Sequence, residues 1–303
     1  MVCSGVANQM MRSRVYVIIA LSSLVVACSD NAPPTSGTTT NPPPPQLVWK
    51  QTWSDEFDGP AGGAVDAAKW TNDIGDGCNQ GNCGWGNNEK EYYSADAANI
   101  STNGQGQLVI VGKVAPAGLA CYYGPCRYTS AKITTRGKLV VSPAGRLEAR
   151  IKLASGQGLW PAFWMLGSTC PQEPWPNCGE IDIMENKGSQ STTTSSALHG
   201  PGYSGATPFA HAQTFASGAI TDFHIYSVEW DPTSVTWLVD GIVHYSVFRD
   251  QVQAYGPSVL GKSFIVILNL AIGGHFDGDP QSDAIFPATM VVDYVRVFQQ
   301  VTQ

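Results

Sequence analysis

The chain has 303 residues, a formal net charge of −7, 32 glycines, 14% charged and 10% aromatic residues. The 17 basic residues form no run, which argues against a phosphate-tracking surface and so against nucleic-acid binding. High Gly and aromatic content with few charges suits many short strands and turns better than helices, and roughly 250 residues can form one sandwich or barrel domain.

Residues 1–28 read as a targeting segment. Arg12 and Arg14 precede an apolar run from Val15 to Ala27, about 13 residues long, which is short for a bilayer span and right for a signal sequence. The run ends Leu24-Val25-Val26-Ala27-Cys28, which resembles a bacterial lipobox, with Cys28 as the lipidated residue. The expectation is an exported protein, held at a membrane only through that lipid or secreted. Residues 29–46 are rich in Pro, Thr, Ser and Gly and close on Pro42–Pro45. They cannot bury a core and read as a linker. Residues 47–303 are then the single functional domain, expected to be a monomer.

From Leu47 the pattern is strand-like. Residues 107–112, 145–153, 227–230, 235–239, 263–271 and 290–298 are short, apolar or alternating, and bounded by Gly, Pro, Asn or Asp, as strands are. Arg146 to Leu153 alternates almost strictly, and Asp240-Gly241 between two such runs predicts a tight hairpin. No stretch sustains a helical apolar period, so the expected class is all-β, an antiparallel sandwich.

Setting Cys3 and Cys28 aside leaves Cys78, Cys83, Cys121, Cys126, Cys170 and Cys178. In an oxidising compartment disulfides are favoured, and the spacing suggests three local pairs, Cys78–Cys83, Cys121–Cys126 and Cys170–Cys178. A zinc site is disfavoured because no His stands close in the required pattern. Such short loops are stiffened more than the fold is held.

The segment Gly179-Glu180-Ile-Asp182-Ile-Met-Glu185 is the richest in chemistry. On a regular strand Glu180 and Asp182 share a face, and Glu185 falls on the other. One extra residue at Ile183-Met184, as a β-bulge, would return Glu185 to the same side. Crowded, half-buried carboxyls hold at least one proton near neutral pH, which is the pairing that retaining glycoside hydrolysis requires. Taken alone, the same acids could be a solvated strand or a calcium site. Trp160, Trp164 and Trp175 lie nearby in sequence, and aromatic rings beside acids suit the C–H faces of sugars. Trp53, Trp70, Trp230 and Trp237 are expected in the core.

Several pieces in chain order resemble glycoside hydrolase family 16, and within it the laminarinase-like β-1,3-glucanases. They are Trp53-Ser-Asp-Glu56-Phe-Asp, Gly84-Trp85-Gly-Asn87-Asn88-Glu89, Gly106-Gln-Leu-Val-Ile110, Gly145-Arg-Leu-Glu-Ala-Arg-Ile-Lys152, Gly158-Leu-Trp-Pro-Ala-Phe-Trp-Met165, the acidic segment itself, Ala197-Leu-His199, Leu268-Asn-Leu-Ala-Ile-Gly-Gly274 and Val292-Asp293-Tyr-Val-Arg-Val297. The resemblance implies a β-jelly roll of two curved antiparallel sheets with a concave substrate cleft. It implies Glu180 as nucleophile, Glu185 as acid/base and Asp182 as supporting acid. It places Asn88, Trp160, Trp164, Trp175 and His199 at the cleft, His199 towards the leaving group.

The same resemblance implies no cofactor for catalysis and a structural Ca²⁺ at Glu56, the backbone of Gly106 and Asp293, a hard-oxygen set that suits this ion. The implied partner is a β-glucan of the β-1,3 or mixed β-1,3-1,4 kind. A family sibling acting on agarose, carrageenan or xyloglucan, and a non-catalytic glucan-binding module, are the alternatives. Two departures from the family pattern fall at the expected cleft border: His275-Phe276 follows Gly274 where Asn-Trp is common, and Lys132 stands where Arg is common.

Overall fold

The computed structural model describes residues 47–215 and 218–302. The expected leader, Cys28 and the linker lie outside these residues. Two large sheets pack face to face. The larger has the order Ile242–Phe248, Ser234–Val239, His224–Trp230, Gly145–Lys152, Ala288–Thr302, Leu108–Val114, Tyr128–Ser130, Glu91–Tyr93. Leu47–Asp55 joins Ala288–Thr302, and Ile100–Thr102 joins Leu108–Val114. The smaller has the order Phe209–Thr214, Thr193–His199, Glu180–Glu185, Leu159–Gly167, Phe264–Ile272, Lys132–Thr134, Thr71–Asp73. This is the expected antiparallel sandwich of jelly-roll kind. One local exception stands: Glu91–Tyr93 runs parallel to Tyr128–Ser130, because a long excursion rather than a hairpin connects them.

The alternation read in Arg146–Leu153 is borne out. Leu147, Ala149 and Ile151 are fully buried in the core, while on the other face Arg146 pairs with Glu148 and Glu229 and Arg150 pairs with Asp293. The Asp240-Gly241 hairpin is also borne out. Both residues have positive φ (52° and 77°) and Val239 pairs with Ile242, the backbone that matches a right-twisted two-residue hairpin. Of the tryptophans expected inside, Trp70, Trp230 and Trp237 are buried and Trp53 packs against the core from a partly exposed position.

Phe264–Ile272 is buried along its whole length. Phe264, Val266, Leu268, Leu270 and Ile272 enter the core between the sheets, and the alternate residues, Asn269 among them, face the opposite side. Leu159–Gly167 divides likewise, with Phe163 and Met165 inside and Trp160 and Trp164 outside.

The strand Glu180–Glu185 carries the predicted bulge. Asp182 pairs with Trp164, but Met184 pairs with the adjacent Phe163, so Ile183 is the inserted residue. On the other edge Asp182 faces Ala197 and Glu185 faces Ser195, so three steps on one strand match two on the other. Ile181, Ile183 and Met184 all bury in the core. A bulge frees ladder carbonyls that must find donors when buried. The Ser196 hydroxyl donates to the Ile183 carbonyl at 2.9 Å, and the Trp237 indole N–H donates to the Asp182 carbonyl at 2.9 Å from the opposite sheet.

Trp237→Phe removes that donor and leaves a buried carbonyl unsatisfied beside a small void. A loss of about 2–4 kcal/mol is expected, measured by thermal or denaturant unfolding. Unchanged stability would show that the bulge does not rely on this bond.

Candidate active site

The bulge sets three acids on one face of a six-residue strand. Glu180 and Glu185 each keep an opening to solvent, whereas Asp182 is 3% exposed. An indole N–H orients each glutamate. Trp175 Nε1 donates to Glu180 Oε2 at 3.0 Å, and Trp160 Nε1 donates to Glu185 Oε1 at 2.9 Å. One oxygen of each carboxyl is thereby held.

Burial pushes all three carboxyls up to about 8. For Glu180 and Glu185 the neighbouring Asp182 charge adds to this, and His199 and the indole donors oppose it. For Asp182 the opposing contact is its hydrogen bond with Glu180. The equal shifts do not divide roles between the glutamates. They show a cluster that retains protons into the neutral range, titrating as one coupled unit.

His199 stands on Thr193–His199 directly opposite Glu180. Its Nε2 lies 3.1 Å from Asp182 Oδ2 and 3.9 Å from Glu180 Oε1. Its contacts are therefore with the Glu180 end of the cluster rather than with Glu185. Glu180, Asp182 and His199 present ligand-type atoms within 4.8 Å of one another, so this trio could in principle hold a cation.

Trp164 is the cross-strand partner of Asp182, and its indole donates to Asn269 Oδ1 at 2.8 Å. Trp160 stacks on Phe276, with ring centroids 4.5 Å apart, and Lys187 Nζ lies 5.1 Å from the Phe276 ring. The His275-Phe276 departure thus places an aromatic ring against the tryptophan that orients Glu185. Lys132, the second departure, has its ammonium 4.2 Å from the Trp85 ring centroid and 5.4 Å from that of Trp164, a cation held by aromatic faces. Asn88 is exposed at φ 62°, and its Oδ1 accepts from Lys90 Nζ and Tyr122 Oη. Its contacts are with those two residues, not with the acids.

The three disulfides pair as expected, Cys78–Cys83, Cys121–Cys126 and Cys170–Cys178. Cys170–Cys178 closes the loop that carries Trp175. The Cys121–Cys126 loop contacts the segments that flank Cys78–Cys83: Tyr122 N donates to Asp76 Oδ2 and Tyr122 Oη contacts Asn88 and the Glu89 carbonyl.

The three segments implied for Ca²⁺ do converge. A Cβ at Gly106 would lie 3.5 Å from the Glu56 carbonyl oxygen, and Gln107 Nε2 reaches Asp293 Oδ1 at 3.5 Å. Both carboxylates, however, face arginines. Arg296 binds Glu56 through two bonds of 3.0 and 2.8 Å, which holds that carboxyl below its ordinary range, and Arg150 binds Asp293 at 2.8 Å.

Sequence reading singled out Phe276 as a departure at the cleft border but missed the roles of Asn269, Lys187 and Trp237. Asn269 had a visible signal as the one polar residue in Phe-Ile-Val-Ile-Leu-Asn-Leu-Ala-Ile. Trp237 had none, because its bond crosses from the other sheet.

The sequence profile described as Glycosyl hydrolases family 16 matches residues 79–294. The protein named Beta-glucanase from Rhodothermus marinus is 36% identical over 264 residues, covering 84% of this chain and 86% of that one. Glucan endo-1,3-beta-glucosidase A1 from Niallia circulans is 36% identical over 266 residues, covering 82% of this chain but only 37% of that longer protein. The X-ray structure of endo-beta-1,3-glucanase from Pyrococcus furiosus superposes with a TM-score of 0.79 at 43% identity, covering 84% of this chain and 96% of that chain. An acid cluster on a bulged strand, indole donors on both glutamates and a family match across the domain agree: this chain belongs to glycosyl hydrolases family 16.

Proposed function

We propose that this protein is a retaining endo-hydrolase of β-1,3-glucan, acting on laminarin-like polymers, with Glu180 as nucleophile and Glu185 as acid/base. The observation that carries this reading is the pair of glutamates on one strand face, each oriented by an indole N–H. The names of the similar proteins, a β-glucanase and two endo-1,3-β-glucanases, support the substrate class.

In the first step a Glu180 oxygen bonds to the anomeric carbon while the glycosidic C–O bond breaks. The proton of Glu185 passes to the leaving oxygen. Water then attacks the glycosyl-enzyme, gives its proton to Glu185 and releases Glu180, so that two inversions retain the configuration. Asp182, between the two glutamates on the strand and beside His199, takes part in the proton balance as Glu180 loses its charge. Trp160, Trp164 and Trp175 serve as faces for the sugar rings, with Asn88 and His199 as polar contacts.

The enzyme works outside the cytoplasm as a monomer, tethered through Cys28 by the linker. A structural Ca²⁺ would take its ligands from Asp293 and from Glu56 and Gly106, drawing Asp293 from Arg150. Calcium added to chelator-treated protein is expected to raise the melting temperature, and no shift would remove calcium from the proposal.

Glu180→Gln and Glu185→Gln are each expected to lower kcat on laminarin by at least about a thousandfold with folding intact. Near-normal turnover by either variant, measured as reducing ends, rejects the assignment. A panel with mixed-linkage glucan, agarose, carrageenan and xyloglucan separates the glucanase reading from its siblings.

The raised carboxyls also set a pH dependence of stability. The folded cluster keeps protons up to about 8 that the unfolded chain releases near 4. The native state therefore binds more protons across that window, and stability falls as pH rises through it. Glu180→Gln is expected to be more stable than wild type near pH 8, with the gap closing towards pH 4. A gap independent of pH would show that the acids are not buried as described.

A further inference from the structure

A second pair of carboxyls lies apart from the three acids. Glu91 and Tyr93 share one face of their strand, Glu89, just before it, meets the Tyr93 hydroxyl, and the three are 5% (Glu89), 0% and 0% exposed. Glu89 Oε1 accepts from Asn87 Nδ2 at 3.1 Å, and Glu89 Oε2 accepts from the Tyr93 hydroxyl at 3.3 Å. Glu91 Oε2 accepts from the Ile272 backbone N–H at 2.7 Å, while Glu91 Oε1 is buried with no donor. Both oxygens of Glu89 thus have donors, and so does one oxygen of Glu91. A buried carboxylate oxygen without a donor is costly, and a carboxylate has no hydrogen to give, so a proton held by the two neighbouring carboxyls belongs on Glu91 Oε1, the oxygen that lacks a donor.

The bonds around the pair have one direction. Trp164 Nε1 donates to Asn269 Oδ1 at 2.8 Å, Asn269 Nδ2 donates to Tyr93 Oη at 3.1 Å, and Tyr93 Oη donates to Glu89. With the proton on Glu91, every donor leads to Glu89, which is then the anion. The titratable groups around the pair are Tyr93 on the same strand, Lys132 on Lys132–Thr134, and Tyr122 and Tyr123 in the stapled loop. Asp73 lies 3.6 Å from Lys132, and Lys90 lies over the two tyrosine rings. Burial and the neighbouring Glu89 hold the Glu91 carboxyl well above the ordinary range, and burial raises Glu89 against the opposing Lys132 charge.

We propose that Glu89 and Glu91 share one proton, carried by Glu91, and that the pair is a positioning device for the substrate face, ordering the Trp164 indole through Tyr93 and Asn269 and balancing the Lys132 ammonium held between Trp85 and Trp164. The link to substrate rests on the glucanase reading; the shared proton does not. When Glu91 ionises at alkaline pH, two adjacent buried charges disrupt the chain of bonds and substrate affinity weakens.

The experiment uses the full-length protein with Glu91→Gln and Tyr93→Phe. Infrared difference spectra at neutral pH, without substrate, are expected to show one protonated-carboxyl band lost in Glu91→Gln. KM for laminarin is expected to rise at alkaline pH in the wild type and to stay level over the same range in Glu91→Gln. Tyr93→Phe, which cuts the link to Asn269, is expected to raise KM about fivefold with kcat falling less than twofold. An unchanged band, an alkaline KM profile like that of the wild type, or an unchanged KM in Tyr93→Phe each overturns the proposal. So does failure of Glu91→Gln to fold, because the amide is neutral, nearly isosteric and keeps a donor. Wild-type inactivity on every β-glucan would instead sink the glucanase reading and leave the infrared result standing.

Discussion

The site depends on one inserted residue. Without Ile183 as a bulge, the two-residue period of the strand would send Glu185 to the face opposite Glu180. With it, both glutamates and Asp182 share a face while Ile181, Ile183 and Met184 fill the core. The insertion frees two ladder carbonyls in a dry interior, and Ser196 and Trp237 satisfy them. The catalytic strand is therefore tied to its neighbour in the same sheet and to the sheet behind it. Displacement of either contact would act on the geometry of the acids without touching them.

Around that strand the protein gathers buried and half-buried acids and supplies a specific donor for each glutamate. Trp175 and Trp160 each give an indole N–H to one glutamate, and His199 faces Asp182. The disulfides belong to this arrangement more than to the fold. Cys170–Cys178 frames the Trp175 loop, and the other two brace the loops that hold Asn88 and Glu89. Small closed loops contribute modestly to stability, but at the rim of a site their stiffness limits how far an orienting side chain can wander.

Much of this was legible along the chain because it depends on local periodicity. The alternation in Arg146–Leu153, the Asp240-Gly241 hairpin and the cysteine pairs are properties of neighbours in sequence, and each is found in the structure. The bulge was readable because the acids alone demanded it. The parallel pairing of Glu91–Tyr93 with Tyr128–Ser130 was not readable, since no local pattern specifies which distant strand an edge will meet. Glu89 and Glu91 were visible as charges, but nothing in their spacing said that they would be buried together.

The sequence by itself determined the β class, the alternation of Arg146–Leu153 and the three acids, because these follow from residue type and short-range spacing, while the family was read from its resemblance to known members. Only the tertiary structure decided that Trp237 would hold the bulge from behind, that Phe276 would stack on Trp160, that arginines would face Glu56 and Asp293, and that Trp164 would connect through Asn269 and Tyr93 to Glu89. Each of these joins residues far apart in the chain, and such contacts come into being only when the two sheets close on a common core.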